Sequence, residues 1–358
     1  MKSWSFYKTS LYECIYKKIR KYPKMDYLQR VWRHRNDRYF VDQVMKILHD
    51  PEIFQLKIFG NKNPEKNLYL ISLEANSGLG AALRVTLLGL SVADQLHFVP
   101  VVVYQPETCT YAESKPIHGT TNPFEYFFVQ PGDITLEETY ESRNVFLYNQ
   151  AHHIRAEHDI RAMMNLSQEY VVNDVYLEKL AYLFKKYMRL NSFVQTAVER
   201  DMHKLCPKWQ AAKILGVHIR GTDYALNWVN HPHMVSADDF MMAIDETLEK
   251  YNIDYVFLAT DDMRRLDALQ KRYGSKLLYY KDVHRATGNI GVHEEKNSRP
   301  MNRYLNGLEV IRDMYTLAKC DGLICGLSQV SFMARIIRLS QESPYDFVKI
   351  LDNGIYRG

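Results

Sequence analysis

The strongest restriction on how this chain folds is a recurring order of segments: a short apolar run, a polar or glycine-bearing turn, then residues with helical period. Leu68-Tyr-Leu-Ile-Ser-Leu73 has strand length and follows the chain-breaking Asn61-Lys-Asn-Pro64. Behind it come Glu74-Ala-Asn-Ser-Gly78-Leu-Gly80 and a segment in which Val85, Leu88 and Val92 share one helical face, then the apolar run Phe98-Val-Pro-Val-Val-Val103. The order repeats further on. Lys213-Ile-Leu-Gly-Val-His-Ile219 reads as a strand, and Ser236, with Asp238 and Asp239 behind it, reads as the N-cap of a helix to about Lys250. Tyr255-Val-Phe-Leu-Ala-Thr260 and Lys276-Leu-Leu-Tyr-Tyr280 read as further strands, with Asp261-Asp262 opening a helix between them. A helix over Gly307–Lys319, the strand Gly322-Leu-Ile-Cys325 and a final helix complete the pattern. Strands alternating with helices specify doubly wound α/β units with ligands at the carboxyl ends of the strands.

A chain of 358 residues exceeds one domain of roughly 100–200 residues. The expected division is an N-terminal α/β domain over 1–206, with a basic helical extension, and a second over 207–358, with a cleft between them. Residues 105–135 form a long aromatic loop, and the charged, aperiodic stretch 281–303 suits an active-site loop.

Hydrophobic residues at 46% and charged residues at 25% exclude a disordered or fibrous chain. A formal net charge of +4 is too small to imply nucleic-acid binding by bulk electrostatics. The five cysteines are scattered, without histidines at zinc spacing, which points to a reducing compartment and no structural zinc. No run reaches the ~18 apolar residues of a membrane span, and the basic start lacks a secretory signal's apolar core. A cytoplasmic protein is expected. Leu11, Ile15 and Ile19 recur at helical spacing among Lys8, Lys17, Lys18, Arg20 and Lys21, and Arg30, Arg33, His34, Arg35 and Arg38 follow. Such a segment either lies against anionic lipid at the inner face of the membrane or packs on the first domain with its basic face in water.

The most informative segment is Gly216-Val-His-Ile-Arg-Gly-Thr-Asp-Tyr224. Arg220 stands where a strand ends, and its fixed fork of donors suits a diphosphate. Gly221 lets the backbone approach closely or take positive φ. Asp223 could lock the guanidinium or act as a base. A surface salt bridge between Arg220 and Asp223 would explain the same residues.

His-x-Arg-x-Thr-Asp, here His218–Asp223, resembles the donor-site motif of the inverting GT-B fucosyltransferases, which include the core α1,6-, nodulation-type and protein O-fucosyltransferases. Val256-Phe-Leu-Ala-Thr-Asp-Asp262 resembles their strand and acidic pair. Asp313-Met-Tyr-Thr-Leu-Ala-Lys-Cys-Asp-Gly-Leu-Ile-Cys325 followed by Ser328-Gln-Val330 resembles their aspartate helix, strand and Ser-Gln-Val loop. Gly78-Leu-Gly80 is similar to their early glycine turn, and it is followed by Ala-Ala-Leu83, not by the third glycine of a dinucleotide oxidoreductase.

The resemblance implies a GT-B fold of two Rossmann-like domains facing each other across a cleft, and a bacterial enzyme that moves fucose from GDP-fucose. By position it implies that Arg220 binds the β-phosphate and that His218 and Asp313 contact the guanine. Asp261 and Asp262 would close the nucleotide pocket, with Ser328, Gln329, Gly78, Gly80 and Gly221 also at the donor. The acceptor expected is a glycan or lipid-linked saccharide in surface-polysaccharide synthesis, with no metal or other cofactor required. The base would be Asp223, Glu74, His231 or His233. Another GDP-sugar, or a non-catalytic sugar-nucleotide sensor, would fit the same donor motifs. The chain departs from the family pattern in several places. Gly221 replaces a second arginine and Tyr224 a lysine, Ala225-Leu-Asn-Trp-Val-Asn230 lacks a glutamate, and the Ser-Gln-Val loop is one residue shorter. These changes fall on the acceptor and base side and leave the α1,6 subgroup unsupported.

Overall fold

The computed structural model describes residues 32, 35–36, 56–147, 174–226, 231–292, 295 and 298–356. The basic segment from Lys8 to Arg38 lies, but for Trp32, Arg35 and Asn36, outside them, so both readings of it do too. Two compact units divide the chain. The first holds residues 56–72, Leu88–Val103 and 130–147 of those described. The second holds Leu73–Leu87, Tyr104–Val129 and the described residues from 174 onward, so it takes up the glycine turn and the aromatic loop as well as the C-terminal half.

In chain order the elements are β1 (Leu56–Lys57), β2 (Leu68–Leu73), α1 (Leu79–Leu96), β3 (Val99–Tyr104), the short α2 (Leu136–Thr139) and β4 (Val145–Leu147). There follow α3 (Asp174–Tyr187), α4 (Ser192–Leu205), β5 (Ile214–Ile219), α5 (Ala237–Lys250), β6 (Tyr255–Thr260) and α6 (Met263–Tyr273). The chain closes with β7 (Leu277–Leu278), α7 (Asn302–Lys319), β8 (Gly322–Gly326), α8 (Gln329–Ser340) and β9 (Phe347–Leu351). The α/β class expected from the sequence is the class adopted.

The first sheet is mixed, in the order β1-β4-β2-β3, with β1 antiparallel and β2 parallel to β4. Leu68, Leu70, Val101, Val103, Ile134 and Val145 form its core. Thr135 caps α2 through a reciprocal capping box with Glu138.

The second sheet is parallel throughout, in the order β7-β6-β5-β8-β9. Both faces are buried, as helix-covered parallel sheets require. Side chains alternate along each strand: Leu215, Val217, Ile219, Val256 and Leu258 join Phe240 of α5 and Leu266 and Leu269 of α6 in one core. Ile214, Phe257 and Ala259 join Leu317 of α7 and Ala334 of α8 in the other. Gly216 allows close packing there, since a Cβ would stand 3.1 Å from Cys320 Sγ.

Order reverses between β5 and β8, because β6 and β7 lie on one side of β5 while β8 and β9 lie on the other. At such a switch point the loops after neighbouring strands part, leaving a crevice at the strands' carboxyl ends. Arg220 follows β5 and Ser328 follows β8, so topology places both there.

Two strand readings need correction. The run Lys276–Tyr280 pairs only over Leu277 and Leu278, because Tyr280 turns to α7 and its hydroxyl meets Thr316 Oγ1 at 2.8 Å. Phe347–Leu351 is a fifth strand that the apolar pattern misses, since it is a half-exposed edge containing Lys349.

Candidate functional site

Arg220 leaves β5 with its guanidinium held from a neighbouring strand: Nη1 meets Asp261 Oδ2 at 2.6 Å, and both side chains are largely buried. The other contacts of that carboxylate fix the same turn. Oδ1 accepts from Gly221 N at 2.9 Å, and Oδ2 accepts from Thr222 Oγ1 at 2.7 Å. The salt bridge therefore runs to the end of β6. Charge-assisted bonds out of water hold the guanidinium in one orientation. The Asp223 side chain is outside what the structure describes.

Asp262 does different work. It is buried, caps α6 by accepting from Arg264 N at 2.9 Å, and takes Arg264 Nε and Nη2 at 2.9 and 2.8 Å. Its carboxyl fills the space beside Gly221, where a Cβ would lie 2.5 Å from Asp262 Oδ2. Gly221 has no positive φ among the described glycines, so close approach is its function there. A second arginine at 221 would collide with Asp262 in this backbone, which gives the departure a steric cause.

His218 is the penultimate residue of β5 and is 5% exposed. Burial pulls its imidazole down to about 4, with Asp261 raising it and Arg220 lowering it, so the ring is neutral at neutral pH. Its Nδ1 is buried without a hydrogen-bond partner.

Asp313 belongs to a second polar cluster along α7. Burial pushes its carboxyl up to about 7, against the pull of Arg285 and Arg312, with Glu309 adding to the rise. Its Oδ1 has no partner, and Nε and Nη2 of the buried Arg285 have none either. Arg312, next on the helix, is clamped by Asp201 at 2.8 Å and Asp282 at 2.8 Å and lies over the Tyr280 ring. Glu309 takes Arg299 Nη1 at 2.5 Å, which ties the stretch after residue 298 to α7. Sequence reading missed Arg285 and Arg299, because the stretch 281–303 has no period to mark which of its charges turn inward, and Arg312, a charge on the helix beyond it whose partners Asp201 and Asp282 are distant in sequence.

Ser328 caps α8, its Oγ accepting from Val330 N at 3.2 Å. The capped start faces the switch point, where helix N-termini favour anions. Gly80 packs against it: a Cβ there would stand 3.0 Å from the Gln329 carbonyl carbon, so the early glycine turn and the Ser-Gln-Val loop adjoin. Gly78 has open space around it. Leu79 N, the first amide of α1, donates to Tyr111 Oη at 2.7 Å. Tyr111 is buried, which raises its phenol, while Arg220 counteracts that rise electrostatically. This tyrosine from the aromatic loop joins the Arg220 region and was not legible in the sequence. Glu74 does not join it through its carboxylate contacts, which are local: Oε2 accepts from Asn76 Nδ2 at 3.2 Å.

The model of the family described as Alpha-(1,6)-fucosyltransferase N- and catalytic domains matches residues 175–353, half of the chain. The chain belongs to this family. The match spans Gly221 and Tyr224, so those two departures do not remove it from a family named for α-(1,6) transfer. No curated protein sequence matches the chain. Similar solved structures include a NodZ α-1,6-fucosyltransferase soaked with GDP-fucose, at 16% identity and TM-score 0.49, covering 76% of this chain and 92% of that one. The fucosyltransferase NodZ from Bradyrhizobium is 17% identical with TM-score 0.45, over 76% and 92% of the two chains. POFUT1 in complex with GDP-fucose is 12% identical with TM-score 0.45, over 82% and 99%.

Proposed function

We propose that the chain is an inverting GT-B fucosyltransferase that moves fucose from GDP-fucose to a hydroxyl of a glycan or lipid-linked saccharide. The observation that carries this reading is Arg220, oriented by Asp261 at the switch point of the parallel sheet. As the bond from the anomeric carbon to the diphosphate breaks, negative charge grows on the leaving GDP. A preorganised guanidinium is aimed at that charge, as is the capped start of α8, and fixed donors of this kind act strongly where water is excluded. These groups supply positive charge without a resident metal.

His218 and Asp313 serve the guanine end on this reading. A neutral imidazole offers one donor and one acceptor, and the carboxyl offers the hydrogen-bonding complement of a purine edge. The setting proposed is surface-polysaccharide synthesis in a bacterial cytoplasm, with the basic N-terminal segment against anionic lipid. Among the described residues no helix is long and apolar enough to cross a membrane.

A thermal-shift panel tests the donor. GDP and GDP-fucose should raise the melting temperature by mass action, while UDP, CMP and NAD should not. GDP-mannose beside GDP-fucose separates the sugars. Stabilisation by UDP-sugars alone would remove the reading.

A further inference from the structure

A chain of contacts leads outward from Arg220 and ends on an imidazole. The Arg220 guanidinium carbon lies 5.8 Å from the centre of the Tyr224 ring. Tyr224 meets His231 edge to face, with ring centres 6.2 Å apart. His231 is held from behind by the C-terminal segment: its carbonyl accepts from Tyr356 N at 2.9 Å, His233 N donates to Gly354 O at 2.9 Å, and Pro232 bridges Ile355. Gly354 makes the strap possible with φ of +83°, and its amide is anchored on Asp352 Oδ1 at 2.7 Å. His233 packs edge-on against Tyr356, within the strap. Backbone pairing to the strap and an edge-to-face contact with Tyr224 hold the half-buried His231.

The other titratable groups around Arg220 whose side chains are described have different work: His218 is buried within β5, and Tyr111 Oη accepts from Leu79 N at 2.7 Å. Asp261 is occupied by Arg220, Gly221 and Thr222. Asp262 caps α6 and pairs with Arg264. Glu74 is bound locally to Asn76. The span from guanidinium to imidazole is no longer than the two ring contacts end to end. A displacement needs a hydrogen bond of about 2.8 Å from arginine to phosphate oxygen, one phosphate-to-sugar bridge, an attack distance of about 3–3.5 Å and a base about 2.6–3.2 Å beyond. That series is about as long as this upper limit on the span, so it can bridge guanidinium and imidazole.

Resting on the donor reading above, we propose that His231 is the general base, with Tyr224 as the spacer that sets its distance from Arg220. In the step, an imidazole nitrogen takes the acceptor hydroxyl proton as the oxygen forms its bond to the anomeric carbon. The carbon–oxygen bond to the diphosphate breaks, and GDP leaves with that electron pair. Tyr224, a departure from the family's lysine, gains a function here.

The test uses the full chain with GDP-fucose, water as the hydroxyl acceptor, and sodium azide as a nucleophile with no proton to remove. In His231→Gln and His231→Ala, GDP release in water should fall by about 10²-fold or more, while GDP affinity and melting temperature stay parental. Azide should restore release in His231→Ala, with fucosyl azide as product, and should not restore Arg220→Lys. Parental rates in both His231 variants would overturn the assignment. So would loss of GDP affinity, or azide rescue of Asp223→Asn but not of His231→Ala. A parent protein that binds no GDP and releases none from GDP-fucose overturns the donor reading as well, and shows this before any variant is compared.

Discussion

Asp313→Asn should change the pH dependence of stability in a direction set by burial. Folding raises this carboxyl from 3.8 to about 7, so between those values the folded chain keeps a proton that the unfolded chain releases. Its contribution is greatest below the unfolded value and declines as pH rises towards 7, by about 1.4 kcal/mol per pH unit. His218 works the other way. Burial lowers it from 6.5 to about 4, so the unfolded chain binds the extra proton and stability rises with pH across that interval. In the parent the two slopes offset each other between about pH 4 and 6.5, and a single pH profile hides both. Asparagine removes one slope and keeps the shape. Urea unfolding of parent and variant at pH 5, 6 and 7 should show Asp313→Asn gaining on the parent by about 2–3 kcal/mol across that range. A difference that is constant with pH would refute the reasoning, because it would mean that the carboxyl titrates alike in the folded and unfolded chain.

Gly221→Ala should lose about 1–3 kcal/mol by overpacking, because its Cβ has no room beside the Asp262 carboxyl; thermal melts check this, and a parental melting temperature would show that the turn can yield. Tyr111→Phe leaves the first amide of α1 without its acceptor and should cost about 1–3 kcal/mol in urea unfolding. The same variant should weaken GDP binding in calorimetry by displacing the glycine turn, and unchanged values of both would remove Tyr111 from the site. Arg312→Ala breaks its pairs with Asp201, which keeps Arg200, and with the exposed Asp282 and should cost about 1–3 kcal/mol, read as a lower urea midpoint.

The strands β2, β5, β6 and β8 were legible because burial on both faces demands continuous apolar runs, and Ser236 because capping leaves a local signature. Contacts between distant residues were not. Asp261 lies far along the chain from Gly221, whose amide it accepts, whereas the residues suggested Asp223 as the local partner for Arg220. Tyr111 stands in a loop whose aromatic residues all look alike in sequence, and only its bond to Leu79 N distinguishes it. The edge strand β9 was hidden by its half-exposed alternation, and with it the strap that holds His231. Motif residues marked Arg220, Asp261, Asp262 and Ser328, and the fold was needed to divide the work of Asp261 from that of Asp262.

The central claim is that Arg220 binds the leaving diphosphate, and Arg220→Lys tests it most directly. Lysine keeps the charge and loses the fork that Asp261 orients. GDP release from GDP-fucose by the folded variant should fall by about 10²-fold or more, with the melting temperature near that of the parent. Parental turnover in Arg220→Lys would contradict the account, leaving the arginine as a salt bridge at a strand end.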